Sequence, residues 1–457
     1  MSERVVIVGA SAAGLAAAGR ARRLRPDLEL VILEEGAVLG PPICSAPHAL
    51  GGELPELSEL ARWTPETLLD RRGIRAIVRA KATQIRPGQR RVLAQLPDGA
   101  RAFGYDQLLI ATGYRARELR LPGAELAGIH RAARFSDFSA MIAALPAAGA
   151  PAVVVGGGYI GLEVVEALAR RGLNVTLFEK SAALLPLIDP ELSPLIEAEL
   201  AAHGITVRLS DTIVGFQGSP GGRLEGVHLR GSAPPLTCAM AVVAVGVEPE
   251  TTLAQGAGVA LGISGAIAVD ARQRTSVPAV FAAGNCAETR LRITGQPAFV
   301  PLAPSAAQQG RVAGDNLAGR PSEFAGAVAA AVVRVFGLTV ASAGLTRAQA
   351  EAAGFRVAAT DIEARSTARG FGDRTVRVRL LTERGRGRLL GGQMIGDASC
   401  AHRINALVAA LAAGFSASQL AELDLAYAPA YGPISDPLTV AARAAARGGS
   451  KSGGNGD

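Results

Sequence analysis

Apolar positions in this chain come in short unbroken runs, and several of the runs end at glycine. In "RVVIVGASAAGLAAAGRARRLRPDLELVILEEG" an apolar run, a small-residue turn, a stretch of helix formers and a second apolar run follow in order. A run without polar alternation suits a strand covered on both faces, so the segment predicts strand, turn, helix and strand of a parallel sheet. The same order returns in "APAVVVGGGYIGLEVVEALARRGLNVTLFEK". Three further runs, in "YDQLLIATGY", "CAMAVVAVGVEPE" and "TSVPAVFAAGNCAE", read as buried strands, the last followed by a small-residue turn. The alternation predicts two α/β units, the first interrupted by the second. From about Pro321 the texture changes to Ala-rich helices and the alternating "RTVRVRLL" and "GRLLGGQMIG", which predict an antiparallel sheet in a third, α+β unit. One Ala/Val-rich run, "FAGAVAAAVVRVFGLTVASAG", approaches the length of a membrane span, but Arg334 in its middle and Gly337 predict a buried strand or helix of a soluble unit instead.

Composition narrows the possibilities. The length of 457 residues suggests two or three domains, and 49% hydrophobic residues can fill their cores. The net charge of +7 is carried almost wholly by scattered arginines, with aromatics at only 4%. That favours solubility and an anionic small ligand over a nucleic-acid track, which needs a concentrated basic face with aromatic residues. Cys44, Cys238, Cys286 and Cys400 form neither a metal motif nor a disulfide framework, as expected of a reducing compartment. A strand begins almost at once in "MSERVVIVGA", with no signal-peptide pattern ahead of it, so the expected location is cytoplasmic.

The chemistry gathers at the strand ends. In the first turn Gly9, Ser11 and Gly14 occupy the places of a dinucleotide fingerprint, with serine in the middle, and Glu34 closes the next strand where an acid would accept from a ribose diol. The second turn has an unbroken Gly156, Gly158 and Gly161, with Glu179 at the corresponding strand end. Two such folds in one chain imply two different nucleotides. Glu179 would repel a 2′-phosphate and so favours NADH, although Lys180 and the many arginines leave NADPH open. Thr112 and Gly113, Gly246, and Gly284 and Asn285 end the other strands. Between Glu34 and the second unit lies "PPICSAPHALGG", one cysteine with no second sulfur near it in sequence.

Taken together these segments resemble the FAD- and NAD(P)H-dependent pyridine nucleotide-disulfide oxidoreductases, in particular the single-cysteine branch of coenzyme A-disulfide reductases, NADH oxidases and NADH peroxidases. The motifs that carry the resemblance are "VVIVGASAAG", "CSAPHALGG", "LLIATG", "VVVGGGYIGLE", "AVGVEP", "TSVPAVFAAGN", "AAQQGRVAGDNLAG" and "LDLAYAPAYGPISDPL". The resemblance implies an FAD domain over 1–118 and 247–320, an inserted NAD(P)H domain over 119–246 and a C-terminal dimerisation domain over 321–446, while the Gly/Ser-rich composition of 447–457 predicts a disordered tail.

It also implies roles. Cys44 would lie against the flavin, its second sulfur belonging to the substrate unless it cycles through a sulfenic acid. Tyr159 would fill the nicotinamide slot, and Glu163 would lie near the nicotinamide. Asn285 stands where the family has an aspartate that bonds the flavin ribitol. A helix start after Cys44 would lower its pKa. Arg20, Arg22 and Arg23 would meet a nucleotide phosphate, and His48 would pack or touch substrate. Tyr427 would reach the cysteine of a partner subunit as proton donor, Phe371 stands near the place of a second such tyrosine, and Tyr431 either compensates or packs. Ala12 stands where oxidase and peroxidase members carry a histidine, and Gly40 and Ile43 replace polar contacts to coenzyme A. The expectation is a homodimeric, cytoplasmic flavoenzyme that uses NADH to reduce a disulfide or persulfide of a small anionic thiol, with no metal, membrane or nucleic acid. The alternatives are an NADH oxidase or peroxidase, and a flavin redox carrier that docks a protein.

Overall fold

The computed structural model describes residues 2–57, 59–231 and 234–450. The first unit is a five-stranded parallel sheet in the order Val280–Ala282, Gln107–Ile110, Arg4–Val8, Glu29–Leu33 and Arg75–Ile77. Its central run is apolar throughout because both faces are covered, with Val5 and Ile7 in one core and Val6 and Val8 in the other. The helix Ala12–Leu24 buries a stripe of small residues, Ala13, Gly14, Ala17, Ala18 and Ala21. Against that stripe lies Ala303–Leu317, so close that a Cβ on Gly310 or Gly314 would come within 2.3 and 2.5 Å of the carbonyl oxygens of Ala13 and Ala17.

The second unit repeats the plan, in the order Thr206–Leu209, Asn174–Glu179, Pro151–Val155, Met240–Val243 and Ile129–Arg131, all parallel. The chain leaves the first unit along Tyr114–Ala116 and returns along Val247–Pro249, and these two passages pair antiparallel. Thr112 Oγ1 donates to the Glu250 carbonyl at 2.7 Å beside them. The third unit is an antiparallel sheet in the order Ala331–Val335, Leu338–Gly344, Leu389–Gly396, Thr375–Glu383 and Val357–Arg365, packed against Cys400–Ala413 and the C-terminal helix.

Of the two forms expected for the Ala/Val-rich run, strand is observed: it makes the hairpin Ala331–Gly344, which turns through Phe336 at φ +52°. Val333, Val335 and Val340 join the core of the second unit, so the hairpin is shared between units. Among the described residues no helix is long and apolar enough to cross a membrane. The expected disordered tail begins too early. The last helix runs Pro437–Ser450, because the buried stripe Leu438, Ala441, Ala442 and Ala445 docks it on the sheet; residues 451–457 lie outside the described residues.

Candidate active site

Each glycine turn ends a buried strand and starts a helix, and contacts too close for a side chain fix its shape. Gly9 adopts φ +105°, and a Cβ there would lie 2.2 Å from the Ala111 carbonyl oxygen; on Gly14 it would lie 1.9 Å from that of Gly9. Ser11 caps the helix in an extended conformation without using its own side chain, so the first amides remain free for an anion. Glu34 accepts from the amides of Ala10 at 2.7 Å and Gly36 at 2.8 Å, which holds its carboxylate at the lip of the turn. In the second unit Gly156 adopts φ +110°, Gly161 would carry its Cβ 1.9 Å from the Gly156 carbonyl oxygen, and Glu179 accepts from Gly157 at 2.7 Å and Ser181 at 2.8 Å.

A cavity of ≈ 1830 Å³ opens at the first turn. Gly9, Ser11, Glu34, Cys44, Thr112 and Gly113 line it, together with Asn285 and, from the second unit, Tyr159. Its volume exceeds the roughly 300–1,000 Å³ of an ordinary small-molecule site, as a dinucleotide requires. The FAD implied by the resemblance fits these walls. Asn285 Oδ1 is buried without a partner, an acceptor placed to take a hydroxyl, and the glycine backbone and free helix amides suit a pyrophosphate.

Cys44 lies in the turn Ile43–Ser45, which leads into the five-residue helix Ala46–Leu50. Cys44 is exposed to the open cavity, yet its thiol titrates in the direction opposite to that expected from a helix start: desolvation by the protein packed around it and the Glu163 carboxylate push it up, outweighing a backbone hydrogen bond. The helix is too short to carry much of a dipole, and Pro47 removes one of its amides. Tyr159 and Glu163 are one turn apart on the helix Tyr159–Arg170, and both feel Cys44 or act on it electrostatically. Burial, then Glu163, pushes the Tyr159 hydroxyl up to about 12. Burial and neighbouring Glu166 push Glu163 up to about 7, with Arg334 opposing them.

Other residues named from the sequence lie elsewhere. Arg20 and Arg23 line the cavity, Arg20 held by Asp315 at 2.7 Å. Arg22 does not line it, a correction with a simple cause. Its guanidinium donates to the carbonyls of Pro26 at 2.5 Å and Gly73 at 2.6 Å, because a residue two positions from Arg20 faces another side of the helix. His48 is also off the cavity wall, with Nδ1 3.2 Å from Arg334 and 3.5 Å from Glu53. Gly284 supports the wall from behind, donating to Gln309 Oε1 at 2.6 Å, and the Gly246 carbonyl accepts from Arg117 at 3.0 Å in the passage between units. Tyr427 is 49% exposed and Tyr431 82% exposed on the third unit, along with Phe371. Cys238, Cys286 and Cys400 are buried.

Sequence reasoning missed several wall residues. Tyr114 lines the cavity and shares the electrostatic environment of Tyr159 and Cys44, and burial raises its hydroxyl. The guanidinium groups of Arg62 and Arg72 each lie over the Trp63 ring, 5.5 and 5.7 Å from its centre, and Arg311 adds a further cation to the cavity wall. "RWTPETLLDRRG" offered a signal for the Trp63 group, since a lone tryptophan between arginines is unusual, and Thr64 is a good helix cap for the segment that follows.

Comparison with known proteins agrees with this geometry. Residues 3–310 match the family model described as pyridine nucleotide-disulphide oxidoreductase, and residues 330–435 match that of its dimerisation domain. The NAD(P)H sulfur oxidoreductase (CoA-dependent) of Pyrococcus furiosus is 32% identical over 430 residues, covering 93% of this chain and 95% of the relative. An NADH oxidase of Methanocaldococcus jannaschii is 29% identical over 430 residues, with 93% and 95% covered. The solved NAD-dependent persulfide reductase of A. fulgidus superposes with a TM-score of 0.93 at 32% identity, over 97% of this chain and 83% of that one. With both family models matched in order, and with the first glycine turn, Cys44 and Tyr159 of the second unit on one cavity, this chain belongs to the pyridine nucleotide-disulphide oxidoreductases.

Proposed function

We propose that this chain is an FAD-dependent oxidoreductase that takes reducing equivalents from NAD(P)H and cleaves a disulfide or persulfide of a small anionic thiol of the coenzyme A class at Cys44. The observation that carries the reading is that Cys44 opens onto the same cavity as the first glycine turn and Tyr159 of the second unit. The names of its relatives support the substrate class: the Pyrococcus furiosus protein is a CoA-dependent sulfur oxidoreductase, and the A. fulgidus protein is a persulfide reductase.

Bound FAD would supply two-electron exchange between nicotinamide and sulfur. The chain's own residues would do the rest. Asn285, Ser11 and Glu34 hold the flavin dinucleotide, and Tyr159 excludes water from the slot a nicotinamide enters, with Glu163 beside it. Cys44 holds the substrate sulfur in a mixed disulfide. The balance is one disulfide, one NAD(P)H and one proton giving two thiols and NAD(P)+; a persulfide gives one thiol and hydrogen sulfide. Arg20, Arg23 and Arg311 supply positive charge for an anionic thiol. In a homodimer built through the dimerisation domain, the partner subunit's Tyr427 would protonate the leaving thiolate.

A second reading, NADH oxidase, draws support from the Methanocaldococcus jannaschii relative. Against it, Ala12 brings a methyl group to the cavity wall where oxidase members of the resembled branch carry a histidine. Steady-state turnover separates the two. Wild type should reduce coenzyme A disulfide or persulfide far faster than oxygen, and Cys44→Ser should lose at least about a thousandfold of that rate, as removal of a covalent nucleophile does. Undiminished sulfur reduction in Cys44→Ser would end the proposal.

A further inference from the structure

Arg334 enters the region of Cys44 from the hairpin of the third unit. Its Nη2 lies 2.5 Å from Glu53 Oε1, 3.0 Å from Glu166 Oε1 and 3.2 Å from His48 Nδ1. Arg170 braces the same two carboxylates, at 2.9 Å from each. Glu166 is only 4% exposed, and its second oxygen accepts from the Phe336 amide at 2.8 Å.

These residues lie along two parallel ladders. Tyr159, Glu163, Glu166 and Arg170 are spaced four, three and four apart, which puts them on one face of their helix. Cys44 and His48 are likewise four apart, in a segment whose helix packs against that one. Arg171 fastens the two backbones by donating to the Leu50 carbonyl at 2.6 Å. Both ladders have one end at the cavity, at Cys44 and Tyr159, and the other at Arg334.

We propose that Arg334 is a positioning residue of the Cys44 site: it ties the Cys44-bearing segment to the Tyr159–Glu163 helix face and fixes the charge that Glu163 presents to the thiol. The groups that act on Glu163 or feel it are Tyr159 and Glu166 on its own helix, Cys44 on the packed segment, Tyr114 on the strand leaving the first unit, and Arg334 on the hairpin; Arg170, His48 and Glu53 bear on it through Glu166 and Arg334. Arg334 and Glu166 bear on Glu163 in opposite senses, Arg334 favouring the carboxylate and Glu166 disfavouring it. An ionised Glu163 in turn disfavours the Cys44 thiolate. The third unit thereby sets how much thiolate the first unit offers at neutral pH. The consequence for turnover rests on Cys44 being the working sulfur; the test reads the thiol itself, so the two ideas fail separately.

The reporter is the pH profile of Cys44 alkylation by iodoacetamide in reduced, FAD-loaded full-length enzyme, followed by intact mass. Without Arg334, Glu163 keeps its proton to higher pH and no longer repels the thiolate. Arg334→Gln should therefore alkylate several-fold faster than wild type near neutral pH, and Arg334→Lys, which keeps the charge, should stay close to wild type. Glu163→Gln should reproduce the acceleration, and adding Arg334→Gln to it should change nothing further. An Arg334→Gln profile superimposable on wild type would overturn the proposal. So would an acceleration that persists undiminished in the Glu163→Gln background, which marks a loosened structure. If Arg334→Gln does not fold, Glu166→Gln carries the test with opposite sign: Glu163 ionises at lower pH, and alkylation below neutral pH should slow. An unchanged rate there overturns the proposal equally.

Discussion

At the first glycine turn Gly9 takes φ +105° and at the second Gly156 takes φ +110°, and each leads to a third glycine whose Cβ would lie 1.9 Å from the carbonyl oxygen of the first. Each turn is closed by a glutamate that accepts two backbone amides. Ser11 and Gly158 occupy the middle position at φ −97° and −76°, backbone that any residue adopts, so serine is tolerated there. The functional difference lies one step on. Where the first helix has Ala12 and Ala16, bare methyl groups on the cavity wall, the second has Tyr159 and Glu163. One frame leaves room for a bound dinucleotide, and the other reaches across with a ring and a carboxyl toward Cys44. Steric necessity explains what the turns share; the residues free to vary make the site asymmetric.

The largest effects should come from the shared glycines. Gly14→Ala and Gly161→Ala each force a methyl group into a carbonyl, at a cost of about 3 kcal/mol in folding of the affected unit. The losses should differ: Gly14→Ala purifies without flavin colour, whereas Gly161→Ala keeps its flavin but is no longer bleached by NADH. Identical loss of flavin in both would deny the two turns separate ligands.

Glu163 has no counterpart at the first turn and gives an effect of intermediate size. Its folded pKa of about 7 lies above the ordinary carboxylate range, so between that range and pH 7 the native state holds a proton that the unfolded state lacks. Stability therefore falls as pH rises through this window, and the full cost stands above it. Glu163→Gln should stabilise the protein by roughly 2 kcal/mol at pH 8, the screening of a half-buried group included, and by almost nothing at pH 4. Denaturant midpoints at the two pH values measure this, and an equal gain at both would place its origin outside the charge.

Exchange of the middle residues should matter least. Ser11→Gly and Gly158→Ser should each stay within about 0.5 kcal/mol of wild type in thermal unfolding. A larger loss in Gly158→Ser would mean that the two middle positions are not equivalent.

The turns were legible in the sequence because everything that shapes them is local: an apolar run, glycines at fixed spacing and an acid at the next strand end. Cys44 was singled out through the family resemblance, and it lines the same cavity as the first turn. What escaped depends on contacts distant in sequence. Tyr114 joins the site because the strand carrying it pairs with Val247–Pro249. Arg334 read only as a charge interrupting an apolar run, although it meets Glu53 and Glu166 from far along the chain. The upward shift of the Cys44 thiol comes first from desolvation by the protein packed around it and then from Glu163 approaching from another unit, neither of which a local helix rule can anticipate. Arg22 was assigned wrongly for a reason the sequence did contain, since helical spacing groups Arg20 with Arg23 and not with Arg22.

The account stands on Cys44 exchanging an electron pair with a nicotinamide through the cavity that the first turn and Tyr159 line. Intact mass during an anaerobic titration tests this directly, starting from enzyme carrying coenzyme A as a mixed disulfide. One equivalent of NADH and one proton should release one equivalent of free thiol and leave Cys44 unmodified. Oxidation of that NADH with the adduct still in place on Cys44 would contradict it.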